Sequence, residues 1–311
     1  MYRFLIGLIG TIFLVGFCSS FVMAETKTEA KTETKSGKMD IDFFGQIQTQ
    51  LEYGSGTDVD PEVTSEKTKF GVKGNQRLWG DIYTFGRFSI DADVLGDGAD
   101  DLRTRFAFIG LGHDLLGELS VGKTESITDV FVNKTMKVFT LRGNNGIQKP
   151  TRKQKSSLLY TNSFKDIKLG VQVQMTDDDA QNDTFDTWQI GGEFKNVGLS
   201  YGKDNVNSTV YYGVGAKHKL GSLFGAANFT VKDDDTDAND RVGYELAVGY
   251  DVTEKLTLVA GWQDTDFETD KGSITTEARY KFAKNITAFV DYENDRTTEE
   301  WVSAAGVRIK F

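Results

Sequence analysis

From position 39 to the C-terminus the chain alternates apolar and polar residues with a period of two, and that rhythm restricts it to β-strands with one wet face and one greasy face. In the stretch 301–311, Trp301, Ser303, Ala305, Val307, Ile309 and Phe311 share one side, and Gly306, Arg308 and Lys310 share the other. In 39–53, Ile41, Phe43, Ile47, Leu51 and Tyr53 oppose Asp42, Gln46, Gln48, Gln50 and Glu52. Segments 241–251, 256–263 and 273–282 repeat the pattern. Alternation alone also suits a soluble β-sandwich or a secreted adhesin, so strand length and connectivity must decide.

Sixteen strands are predicted: 39–53, 66–74, 81–93, 102–110, 117–123, 156–161, 167–176, 184–195, 196–203, 209–219, 222–232, 241–251, 255–265, 273–282, 285–293 and 301–311. Many are near the ~9–11 residues a tilted membrane strand needs. Short connections (75–80, 252–254, 283–284) alternate with longer acidic ones (54–65, 176–183, 233–240, 266–272, 294–300). Short turns on one rim and long loops on the other characterise a transmembrane antiparallel barrel, and an even strand number puts both termini on the short-turn side. Composition agrees: there are 33 glycines, 22 Phe, 11 Tyr and 4 Trp, but 2 prolines, and proline would remove ladder donors. An apolar fraction of only 39% is no objection, because polar lumen residues interleave with lipid-facing ones.

The first 24 residues carry one charge, Arg3, then an apolar run and the small-residue ending Val22-Met23-Ala24, which is the pattern of a signal peptide over 1–24. Residues 25–38, ETKTEAKTETKSGK, hold no large apolar side chain and are expected to be disordered; the barrel domain is expected over 39–311. Cys18 falls in the signal, so the mature chain offers no disulfide or cysteine-metal site. Loss of Arg3 takes the net charge from −10 to −11, and such acidity argues against nucleic acid as a partner. His113 and His218 are the only histidines; His113 is read in a short turn, and no nucleophile elbow or metal spacing occurs, so neither enzyme activity nor a metal or other cofactor is expected. The runs 177–179 and 233–235 are triple aspartates without the spaced ligands of a calcium loop, and they read as solvated tips.

One connection, 124–155, is far longer than a hairpin loop and contains Phe131, Val132, Val138, Phe139 and Leu141. An apolar loop must pack somewhere, and the inside of the barrel is the expected place.

Several motifs, in order, resemble the general trimeric porins of the Gram-negative outer membrane. Lys69-Phe70-Gly71-Val72-Lys73-Gly74 is similar to that family's second strand, and Thr104-Arg105-Phe106-Ala107-Phe108-Ile109-Gly110-Leu111 to its fourth. The stretches 117–123, 155–162 and 288–292 and the terminal Phe311 resemble further strands. The resemblance implies sixteen strands, a homotrimer, an inward third loop, and a water-filled channel for ions and small hydrophilic solutes in contact with membrane lipid and lipopolysaccharide. It also implies a basic wall facing acidic loop residues. By motif position the wall comprises Lys69, Arg105 and Lys153, with Arg152 beside the last; Arg87 and Arg103 join it by strand register. Glu125 and Asp129 are the acidic loop candidates. The family's acidic loop segment has no counterpart, because the region 134–145 carries Lys134, Lys137 and Arg142 instead. Those cations favour anions at the narrow point while the acidic outer loops enrich cations at the mouth, which leaves selectivity open at this level. A substrate-specific channel is the near alternative, and aromatic residues on the lumen face would be its mark. A non-channel adhesin or structural barrel is the remoter one.

Overall fold

The computed structural model describes residues 37–55, 60–65, 67–95, 102–142, 153–175, 185–234, 241–265 and 272–311. The expected signal 1–24 and nearly all of the tail 25–38 lie outside them, as do both triple-aspartate runs except Asp233 and Asp234.

The strands are β1 (Asp40–Gly54), β2 (Glu62–Thr64), β3 (Lys69–Trp79), β4 (Ile82–Ala92), β5 (Leu102–His113), β6 (Gly117–Glu125), β7 (Lys153–Phe164), β8 (Ile167–Gln174) and β9 (Thr187–Phe194). They continue as β10 (Val197–Asp204), β11 (Thr209–Leu220), β12 (Leu223–Asp233), β13 (Arg241–Asp251), β14 (Leu256–Thr265), β15 (Ser273–Ala283), β16 (Ile286–Asp295) and β17 (Glu300–Lys310). From β3 to β17 each strand pairs antiparallel with the next, and β17 returns to β1, from Gln46 opposite Lys310 to Gly54 opposite Val302. On the other edge of β1, short β2 covers residues 50–52 and β3 covers residues 40–46. Sixteen positions therefore close into a barrel with no free edge, the condition for a sheet to stand in hydrocarbon. No helix among the described residues is long and apolar enough to cross a membrane.

Closure fixes which face is which. On β1, Gln46, Gln48 and Gln50 are 5%, 0% and 2% exposed, whereas Ile41, Phe43 and Leu51 are 53%, 80% and 50% exposed. Buried glutamine beside exposed phenylalanine inverts the pattern of a water-soluble protein and matches a barrel with lipid outside. Gln172, Gln189, Glu245, Glu277 and Asp291 extend the buried polar face round the sheet. Outward aromatics cluster near both rims. Tyr53 meets Trp301 edge-on at 5.5 Å near the long loops, and Tyr280 meets Phe282 at 5.0 Å near the short turns. Such girdles sit where hydrocarbon gives way to headgroups.

Several sequence boundaries shift. Residues 75–80 are not a connection, because β3 runs on to Trp79 and turns through Gly80, whose φ of +50° suits a tight turn. His113 is not in the turn; it ends β5 opposite Ile82, and its Nδ1 accepts from the Leu115 amide at 3.1 Å. The long connection begins after Glu125 and ends before Lys153.

Candidate functional site

The segment 126–142 is built to lie on the polar face of the sheet. Ser126 caps a one-turn helix, α1 (Ile127–Phe131), its Oγ accepting from the Asp129 amide at 3.2 Å. A 3-10 turn follows at Asn133–Met136. Ile127, Phe131 and Val132 are fully covered because the wall beneath them is made of small residues, among them Gly170, Gly191, Gly198, Gly213 and Gly215. The approach is closest at Gly198, where an added Cβ would stand 1.8 Å from the Phe131 carbonyl oxygen. Farther on, Met136 and Val138 pack with Phe224, Ala226, Ala247 and Val259, and Leu141 packs with Phe289 and Ala304. Each large side chain buried this way contributes about 1.5–3 kcal/mol.

Polar contacts follow the same track. Gln172 Oε1 accepts from the Ile127 amide at 3.2 Å, and Thr128 Oγ1 donates to Ser200 Oγ at 3.2 Å. Thr135 bonds to Asn228, and Thr140 donates to Glu277 through its hydroxyl at 3.0 Å. Arg279 Nη1 donates to the Val138 carbonyl at 2.6 Å. Arg142 reaches Glu52 on β1 at 2.8 Å and Asp291 on β16 at 3.1 Å, and Lys67 donates to the carbonyls of Thr140 and Leu141. The contacts thus run in chain order from β8 round to β17 and β1, all at polar-face positions. Burial disfavours charge on the Arg142 guanidinium, but Asp291 and Glu52 outweigh it and hold its pKa above the ordinary arginine value.

The strands left uncovered, β3 to β5 with the neighbouring edge of β1, carry the basic candidates. Lys69 stands opposite Asp91 in register, and Arg105, held at a bulge, pairs with Asp91 at 2.7 Å. Arg87 lies between two phenyl rings, 4.8 Å from the Phe44 centroid and 4.9 Å from that of Phe106. Contacts of this kind contribute on the order of 1 kcal/mol each. Arg308 and Lys310 continue the cationic line on β17, opposite Gln48 and Gln46.

The remaining candidates divide. Arg103 is exposed and in register with Asp91. The Lys153 backbone registers with Glu125, and Arg152 lies outside the described residues. Glu125 pairs with Lys137 at 3.2 Å, and Lys134 pairs with Glu193. With Arg142 clamped, each of the three loop cations has a carboxylate partner. Asp129 does not face open space: it is 2% exposed and accepts from Asn133 Nδ2 at 2.8 Å. The sequence reading missed Phe44, Phe106, Glu52, Glu277 and Asp291. Phe44 had a visible signal, since it breaks the alternation as a second consecutive Phe on the polar side of β1.

A model of the Gram-negative porin family matches residues 10–300. Outer membrane protein U of Vibrio parahaemolyticus is 27% identical over 241 residues, 70% of this chain and 70% of that protein. Among solved structures, the trimer form of OmpT, an outer membrane protein of Vibrio cholerae, superposes with a TM-score of 0.67 at 18% identity, covering 88% of this chain and 99% of that one. The anion-selective porin from Comamonas acidovorans superposes with a TM-score of 0.73 at 12% identity, covering 88% of this chain and all of that one, a likeness of fold.

Proposed function

The chain belongs to the Gram-negative porin family and forms a passive diffusion channel in the outer membrane, and from that premise we propose that its passage narrows between segment 126–142 and a basic wall, and that this narrowing prefers small anions. Solutes cross by diffusion, without a chemical step. The wall comprises Lys69, Arg87, Arg103 and Arg105, continued by Arg308 and Lys310; the expected Arg152 lies outside the described residues. The segment lies in the lumen and takes up space on the side of β8 to β16.

One observation carries the reading. Among the described residues the loop cations Lys134, Lys137 and Arg142 each have a carboxylate partner, whereas on the facing wall Asp91 is shared between Lys69 and Arg105, and Arg87 forms no ion pair, Glu125 acting on it only at a distance. Net positive charge on that wall acts within the roughly 8–10 Å that screening allows, so charges on more distant loops weigh less at this level. A homotrimer is part of the proposal; the trimer form of the Vibrio cholerae protein supports it through shared fold. Contact with phospholipid and lipopolysaccharide follows from the exposed apolar face.

The test is a planar bilayer holding the purified protein in a tenfold potassium chloride gradient. A reversal potential of the sign set by chloride supports the reading. A potential set by potassium refutes the electrostatic assignment, and absence of current refutes the channel. A more selective channel is favoured by a separate observation, the phenyl rings at Phe44 and Phe106 on the lumen face.

A further inference from the structure

We propose that Arg87, with Phe44 and Phe106, forms a lumen subsite for small carboxylates carried on an aromatic body; the inference rests on the reading of this wall as the open side of the passage. The site is built by four strands in one register row. Phe44 on β1, Gly71 on β3, Ser89 on β4 and Phe106 on β5 stand side by side. The two middle residues are small, and the rings occupy the space above them. A Cβ at Gly71 would stand 2.5 Å from Phe44 Cζ and 2.7 Å from Ser89 Cβ, so glycine is required for the ring to lie there. The Arg87 guanidinium then enters between the rings, and its cross-strand partner on β5 is a further phenylalanine, Phe108.

Phenyl rings cover the guanidinium but satisfy none of its hydrogen bonds. Arg87 makes no hydrogen bond or ion pair with a described residue, and its Nε is buried without a partner. A buried polar donor is ordinarily satisfied, and this one is not. The buried Nε is closed to a ligand, but the two terminal Nη groups are not among the buried atoms, and their paired N–H groups match the two oxygens of a carboxylate. Lys69 and Arg105 lie within electrostatic reach and share Asp91, so the patch keeps a positive excess. Simple inorganic anions would use the charge alone. A carboxylate on an aromatic ring would also use Phe44 and Phe108, which are part-exposed, while Phe106, 4% exposed, holds the guanidinium from behind.

Single channels in potassium chloride, titrated with sodium benzoate or sodium acetate, test the idea. Benzoate is expected to reduce the current saturably, with an apparent affinity at least several-fold above that of acetate. Arg87→Gln should weaken the benzoate effect by about 10-fold or more, the usual scale for a charge-assisted pair. Phe44→Leu and Phe106→Leu should each weaken it by about threefold, with smaller change for acetate. Arg77→Gln, at the short-turn rim and paired with Asp114, serves as a folded control with the block retained. Heat-modifiable gel migration confirms that each variant has closed its barrel. Equal action of benzoate and acetate, or a benzoate block that survives Arg87→Gln, overturns the subsite. Either result would leave the chloride-set reversal potential standing, so the two readings fail separately.

Discussion

Arg142→Gln is the perturbation that most directly probes how segment 126–142 is held. The native guanidinium joins Glu52 and Asp291, two carboxylates from different strands. Its side chain is 16% exposed, and the Asp291 side chain only 1%. The amide of glutamine cannot supply the charge, so Asp291 keeps a buried carboxylate without a cation. Removing one partner of a buried pair costs about 3–5 kcal/mol, and partial exposure here points to the lower end, about 3 kcal/mol. That cost falls on the stretch after the 3-10 turn, because α1 is seated separately by Ile127 and Phe131. Three kcal/mol is roughly a 100-fold rise in the population with this end detached. Single-channel recording reads it as more frequent brief current fluctuations, with mean conductance altered in the same patches. Adding Asp291→Asn to Arg142→Gln should return part of the loss, since the more deeply buried of the two carboxylates no longer carries a charge. A fluctuation pattern identical to the parent protein, or a double variant noisier than the single one, refutes the clamp.

Other consequences can be checked alongside. Gly198→Val places two methyl groups where the Phe131 carbonyl sits, so α1 must lift; its amides should lose hydrogen-exchange protection while the barrel still shows heat-modifiable migration. Phe131→Ala removes a side chain that is 2% exposed, and should lower the stability of the seated segment by about 3–5 kcal/mol, read by exchange of the 127–136 amides. Arg105→Ala removes a wall cation that is paired with Asp91 and should move the reversal potential toward potassium; an unchanged potential places the narrowing elsewhere. At the short-turn rim the hydrogen bond from Arg77 holds the Asp114 carboxyl below the usual range, yet both groups are in solvent, so Asp114→Asn should leave the heat-modification temperature unchanged.

The barrel itself was legible because its cause is local. Each strand declares its faces through neighbours two residues apart, and Trp301, Val307 and Ile309 against Arg308 and Lys310 already mark outside and inside. Strand ends were less legible, because pairing rather than propensity sets them: Gln76 and Arg77 look like turn residues, but they find partners in Thr84 and Tyr83. The site was half legible. Arg87 follows from register on its own strand, and Lys69 and Arg105 follow from the motifs that resemble the porin family. What no single strand reveals is which carboxylate meets which cation across the barrel. The union of Arg142 with Glu52 and Asp291 joins positions 90 and 149 residues apart. Asp129 was misread for a related reason: an acid near the start of a loop suggests a pore charge, but three residues after Ser126 it also serves the first turn of a helix, and burial there decided its use.

The asymmetry of the wall connects these points. A barrel with uniformly large lumen residues would leave no seat for a loop, and one with uniformly small residues would let it settle anywhere. Here the small residues Gly170, Gly191, Gly198, Gly213 and Gly215 fall on adjacent strands, β8 to β11, and the rings of Phe44 and Phe106 and the cations Lys69, Arg87 and Arg105 fall on β1, β3, β4 and β5. The apolar residues of 127–141 find close packing on the first group and would meet Arg87, Lys69 and Arg105 on the second, where burying those charges would cost several kcal/mol each. Placement of the loop is therefore selected twice, by fit on one side and by desolvation on the other. The same selection leaves the cationic wall open to water, as the proposed preference for small anions requires.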